Sequence, residues 1–204
     1  MNGKDIMNIG RKTDEVHLDP GLNVRPATWD DLEGVAQLIY EVCAADGDTT
    51  VAVTPEELRH EWQAPGFDLP RDAFLVEAGD GRIVGYEEFF NEHEHAQLRT
   101  DGYVHPDFRG CGIGTALLRT VERRALEEIA LAQPDLRVSL QSTTDQRDAA
   151  GRNLHLHEGY QPLRYQWRME IVLEPAHLLM GVVDLRAQWL FLLRCYGIHD
   201  YIDA

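Results

Sequence analysis

Apolar positions in this chain switch repeatedly between a strand period and a helical period. Residues 21–26 read as a first strand. Thr28-Trp29-Asp30-Asp31 has the form of a capping box, and Leu32, Val35, Ala36, Leu38 and Ile39 follow on one helical face. Thr54-Pro55-Glu56-Glu57 opens a second helix, with proline at its first position, that ends before Pro65-Gly66. Strands at 73–78 and 83–91 flank Gly79-Asp80-Gly81, a hairpin signal, and a further strand spans 96–104. The segment 112–132 predicts a long helix with Leu117, Leu118, Val121, Ala125, Leu126 and Ile129 on one side. A strand at 136–141 follows, then a helix capped by Asp145 with Asp148, running to Glu158 and closed by Gly159. Residues 161–173 alternate in part and predict one or two more strands. The order β-α-α-β-β-β-α-β-α-β defines an α/β fold: a mixed sheet, antiparallel at first, with helices on both faces.

The flanks differ from this domain, which spans residues 21–173. Residues 1–20 are polar, without periodicity, and read as a flexible arm. Residues 174–204 read as an apolar helical extension. Leu178, Leu179, Val182, Val183, Leu185, Trp189, Leu190, Leu192 and Leu193 cover much of its circumference, so it needs cover from its own domain or from a second copy in a homodimer.

Composition narrows the partners. Among 204 residues, 44% are hydrophobic and 26% charged, the balance of a globular domain. A net charge of −16 argues against nucleic acid and anionic membranes, both of which need basic patches. Such acidity attracts cationic amines at long range, but its first effect is to keep the chain soluble. Cys43, Cys111 and Cys195 are odd in number, far apart and without C-x-x-C spacing, which suits reduced thiols in the cytoplasm better than bridges or a zinc site. No leader pattern or membrane-length apolar run is expected.

The chemistry concentrates in Val104-His105-Pro106-Asp107-Phe108-Arg109-Gly110-Cys111-Gly112-Ile113-Gly114-Thr115-Ala116-Leu117-Leu118. A strand ends, three glycines alternate, and a helix begins. Unpaired N–H groups and the positive end of the helix dipole converge there, which makes an anion site. A P-loop would need Gly-Lys-Ser or Gly-Lys-Thr where the chain has Gly114-Thr115-Ala116, and the dinucleotide fingerprint would need glycine at Thr115. The spacing R-x-x-G-x-G formed by Arg109, Gly112 and Gly114, after V-x-P and before two leucines, resembles the acyl-CoA loop of the GNAT N-acetyltransferases. The element order resembles that fold from about Leu22 to Leu173. Leu154-His155-Leu156-His157-Glu158-Gly159-Tyr160 is similar to its late helix, and Arg25-Pro26-Ala27, Val84-Gly85-Tyr86 and Arg168-Met169-Glu170-Ile171 look most like mycothiol synthase-related members, single or tandem.

The resemblance implies acetyl transfer from acetyl-CoA, as co-substrate, to the primary amine of a small molecule. It implies that the backbones of Gly110, Cys111, Gly112, Ile113, Gly114 and Thr115 hold the CoA pyrophosphate, with Arg109 shaping the loop or neutralising phosphate. The backbones of Tyr103, Val104 and His105 would line the pantetheine arm and stabilise the oxyanion. The strand positions where some members place a base fall on Leu98 and Thr100, which cannot serve. Glu88 is therefore the leading base or amine-binding carboxylate and Glu87 the second, against a reading in which the two are carboxylates with at least one in solvent. The position of a tyrosine acid in the late helix falls on His155, which is either a proton donor near neutral pH or a helix-surface residue. Tyr160 and Tyr165 are further candidates. His93 and His95 share a strand face, as metal ligands do, but no third ligand is evident and no metal is expected. A competing reading is a non-catalytic acyl-CoA sensor or interaction domain, the remnant of a tandem protein.

Overall fold

The computed structural model describes residues 17–92 and 95–167. Five strands form one sheet: β1 (Asn23–Pro26), β2 (Ala73–Glu77), β3 (Ile83–Glu92), β4 (Gln97–Val104) and β5 (Ser139–Ser142). They lie in the order β1-β2-β3-β4-β5. The first four are antiparallel neighbours, and β5 joins β4 in parallel. The helices are α1 (Leu32–Ala45), α2 (Pro55–Trp62), α3 (Leu69–Asp72), α4 (Ile113–Ile129) and α5 (Ala149–Glu158).

The alternation of the strands divides the core between two faces. On one face α1 and α2 pack Val35, Leu38, Ile39, Leu58 and Trp62 against Leu75 and Tyr86. On the other, Ile113 and Leu117 of α4 meet Val76 and Val84, and Val121 and Ala125 meet Phe89 and Leu98. Leu117 is fully buried. Leu117→Ala is expected to cost about 2–5 kcal/mol through lost burial and the cavity left behind, measured as a shift of the denaturant midpoint.

The predicted capping residues act as read except Asp145, whose carboxylate accepts from Arg147 N–H ahead of the helix. The Asp31 carboxylate accepts from Thr28 N–H at 2.8 Å, and the Arg25 guanidinium grips its two oxygens at 2.7 and 2.8 Å. A 3-10 turn over Trp29–Asp31 precedes the helix itself. Thr54 caps α2 and Asp148 caps α5, the latter accepting from Gly151 N–H.

Three boundaries differ from expectation. The strand expected at 136–141 forms only over Ser139–Ser142, because Leu136 N–H turns back to the Gln133 carbonyl. The short helix Leu69–Asp72 is an addition, held by the Asp72 carboxylate accepting from Asp68 N–H. The end of the expected flexible arm is tied down: Leu18 packs against the Ile113–Leu117 cluster and Asp19 N–H bonds the Cys111 carbonyl at 3.3 Å. The chain divides into two units at Gln161 and Pro162. Residues 161–167 form no strand. The rest of the strands expected at 161–173, and the extension at 174–204, lie outside the described residues.

Candidate active site

The segment after β4 makes a 3-10 turn over Pro106–Phe108, then passes through Gly110 (φ +84°) and Gly112 (φ +82°) into α4. L side chains rarely adopt such φ values, so the two glycines give the turn its shape. Gly112 is the N-cap of α4, and as a glycine it provides no side-chain cap; the first turn carries no acidic residue. Among the described residues no side chain caps the N–H groups of that turn, and the helix dipole favours an anion there. A Cβ at Gly112 would collide with the backbone carbonyl of His17, so the chain entering β1 also requires glycine there. Arg109 is paired with Asp46 at the end of α1, 3.1 Å away, and anchors the turn.

The sheet opens beside this turn. Pairing between β4 and β5 runs only from Gln97↔Ser139 to Thr100↔Ser142. Beyond Thr100 one edge of β4 has no strand partner among the described residues. Ser139 N–H reaches the Ala96 carbonyl, so even-numbered β4 residues turn their backbone toward β5. His105 N–H goes to the Val84 carbonyl, so odd-numbered residues serve β3. Of the three positions expected to offer backbone groups, Val104 turns them to the open edge, while the backbones of Tyr103 and His105 are directed to β3. Gly102 is the position missed. Its signal was a glycine inside a strand, which marks close approach of something else.

On the α1 face, β3 and β4 place Glu88 directly opposite Asp101. Both carboxyls are sequestered, and Glu61 of α2 faces Glu88 as well. Burial, with Glu61 and Asp101 adding to it, pushes Glu88 up to about 8; burial pushes Asp101 up to about 6 against the pull of Arg99. Glu88 is oriented by a buried chain of hydrogen bonds. Trp62 Nε1–H donates to the Tyr86 hydroxyl at 2.9 Å, and that hydroxyl donates to Glu88 Oε2 at 2.8 Å. Both predicted carboxylates, Glu87 and Glu88, are buried, so neither is the solvent-facing partner considered above.

On the α4 face, Glu87 lies against Gly102, where any Cβ would strike its carboxyl group. Thr100 Oγ1 is 2.6 Å from Glu87 Oε1 and 2.8 Å from the Glu88 carbonyl oxygen. A hydroxyl has one proton. Both contacts are satisfied when Thr100 donates to the carbonyl and Glu87 itself carries a proton and donates to Thr100. Burial pushes Glu87 up to about 8 against the pull of the Thr100 hydroxyl. Tyr160, just past α5, faces Glu122 of α4 and Glu87, and burial raises its hydroxyl above the ordinary range. The His155 ring stands edge-on to Tyr160 at 5.2 Å. Its Nδ1 lies 2.7 Å from the Gly151 carbonyl, which can only accept, so Nδ1 carries the proton and the buried Nε2 presents a lone pair. His155 is therefore neither a simple surface residue nor, as the neutral ring, a donor. Arg119 holds α5 on α4 through a two-bond contact with Glu158 at 3.0 and 3.1 Å.

The remaining chemistry expected of histidines is elsewhere. His95 bonds Glu128 and Asn91, and His93 lies outside the described residues. Among the described residues no three His, Cys, Asp or Glu side chains are grouped to hold a metal ion, and no helix is long and apolar enough to cross a membrane.

Comparison with known proteins agrees with this geometry. Residues 70–162 match the model of the acetyltransferase (GNAT) domain family. A GCN5-related N-acetyltransferase from Sphaerobacter thermophilus is 33% identical with a TM-score of 0.66; the match covers 72% of this chain but only 45% of that one. The putative acetyltransferase yncA of Salmonella typhimurium, solved with acetyl-CoA, is 19% identical with a TM-score of 0.54, covering 69% of this chain and 80% of that one. AAC(6')-Iy, solved with a bisubstrate analogue, is 15% identical with a TM-score of 0.51, covering 74% and 99%. None of the curated proteins matches the chain. Residues 70–162 are thus similar to GNAT acetyltransferase domains, and the sheet has the fold of these solved neighbours. These matches do not extend to the finer resemblance to mycothiol synthase-related proteins.

Proposed function

We propose that this domain transfers an acetyl group from acetyl-CoA to the primary amine of a small molecule by direct attack on the thioester. The observation that carries the reading is the continuity of the β4 edge, unpaired beyond Thr100 among the described residues, with the glycine turn, beside a buried carboxyl. Pyrophosphate would sit on the N–H groups from Gly110 to Thr115 other than that of Cys111, which bonds the Phe108 carbonyl, with Arg109 bracing the turn. Pantetheine would pair with the edge at Gly102 and Val104, as an added strand does. A backbone N–H there stabilises the oxyanion of the attacked thioester. Glu88 takes the proton the amine gives up, and its position opposite Asp101 suits a cationic acceptor. His155 lines the α5 side and donates through Nε2 only as imidazolium. That one neighbour was solved with acetyl-CoA and another with a CoA-linked bisubstrate supports the choice of acyl donor.

The test is thiol release from acetyl-CoA against a panel of primary amines. Turnover that depends on one class of amine is expected. Tight acetyl-CoA binding with no thiol release for any amine would instead identify an acyl-CoA sensor.

A further inference from the structure

We propose that Glu87 is a second catalytic carboxyl, which gives its proton to the CoA thiolate as the amide forms. This rests on the acetyl-transfer reading above and assigns the half of the reaction that Glu88 cannot serve. Glu88 and Glu87 are consecutive on β3 and so point to opposite faces of the sheet, one beneath α1 and α2, the other beneath α4. The open edge of β4 runs between those faces. Glu87 reaches it because Gly102, directly opposite in the β3–β4 register, has no side chain to hold it off. Gly102 is exposed and Glu87 is buried, so the carboxyl borders the edge without standing in water.

Proton count makes Glu87 an acid. Thr100 Oγ1 lies 2.6 Å from Glu87 Oε1 and 2.8 Å from the Glu88 carbonyl, and its single proton satisfies both contacts only when Glu87 carries one of its own. The groups around it preserve that state. Asp101 comes from β4, Glu122 from α4 and Tyr160 from the chain after α5; burial, with Asp101 and Glu122 adding to it, pushes Glu87 up to about 8 against the pull of the Thr100 hydroxyl. An ordinary thiol titrates near 8.5, so donor and thiolate are matched to within about one unit. The neighbours are poorer donors. Tyr160 is pushed above its ordinary range, and the neutral His155 presents a lone pair.

The step balances. The amine nitrogen forms the C–N bond, the C–S bond breaks and its electron pair stays on sulfur. The Glu87 proton passes to sulfur, and the surplus amine proton passes to Glu88. Glu88 then releases a proton to water and Glu87 takes one up, so amide and CoA thiol are the net products.

The test is Glu87→Gln, whose amide N–H donates to Thr100 as the protonated carboxyl does. With an amine that supports turnover, kcat is expected to fall by about 10- to 100-fold and the alkaline limb of its pH profile to vanish. The KM for acetyl-CoA should stay within about twofold, since no phosphate or pantetheine contact is touched. A second variant, Thr100→Val, removes the hydroxyl that fixes the acid and is expected to move the alkaline limb without abolishing turnover. Unchanged kcat and an unmoved alkaline limb in both variants would overturn the assignment while leaving acetyl transfer intact. Wild-type protein that releases no thiol with any amine would overturn the parent reading, and this one with it.

Discussion

Thr115→Glu is expected to lower acetyl-CoA affinity by about 100-fold or more while the protein stays folded, at about 1.4 kcal/mol per tenfold. Thr115 is the third residue of α4, where the N–H groups at the helix start meet the proposed pyrophosphate. A carboxylate there opposes the phosphate charge directly. The same carboxylate suits the positive end of a helix that has no side-chain cap and no acid in its first turn, so it favours the fold. This separates ligand loss from damage. Gly112 does not allow that separation, because a side chain there meets the His17 carbonyl and an unfavourable φ. Calorimetry of acetyl-CoA binding, with circular dichroism as the control, reads both effects. Wild-type affinity in the variant would remove the turn from phosphate binding.

Glu88→Gln is expected to reduce kcat/KM by about 100-fold or more, the usual scale for a lost general base. The base is the ionised form, and burial holds Glu88 near 8. Wild-type turnover should therefore climb as pH rises toward 8, and the variant should lose that climb. Stability moves in the opposite sense. A carboxyl whose folded value lies above its unfolded one favours folding while protonated. That contribution is complete below the ordinary value of 4.5 and is lost as pH rises through about 8. Since one unit is worth about 1.4 kcal/mol, the variant should gain of the order of a few kcal/mol over wild type above pH 8 and little at acid pH. Thermal unfolding of both proteins across this range checks the sign. A wild-type pH profile in the variant would take Glu88 out of the reaction.

Much of this is legible in the sequence, for local reasons. The glycine turn is a contiguous pattern whose geometry depends on φ at Gly110 and Gly112, and a sequence shows glycines plainly. The capping residues at Thr54 and Asp148 act within three positions of themselves. The hairpin at 79–81 is likewise local. The strand at 136–141 was misplaced because a turn between Gln133 and Leu136 competes with the apolar pattern, and nothing in the spacing ranks the two. The short helix at Leu69–Asp72 was missed because Pro70 in its first turn and a four-residue length leave no periodicity to read.

The sequence by itself determined the α/β class, the order of elements from 21 to 159 apart from the short helix Leu69–Asp72, the glycine turn and the pair of carboxyls at 87 and 88. What it could not determine is how side chains distant in the chain divide one proton. Only the β3–β4 register set Glu88 against Asp101 and Glu87 against Gly102, and only the third dimension brought Trp62 to Tyr86, Thr100 between the two glutamates, and Tyr160 beside Glu122. The physical reason is range. Backbone preference and capping act over a few residues, whereas desolvation and shared hydrogen bonds depend on which surfaces the folded sheet brings together.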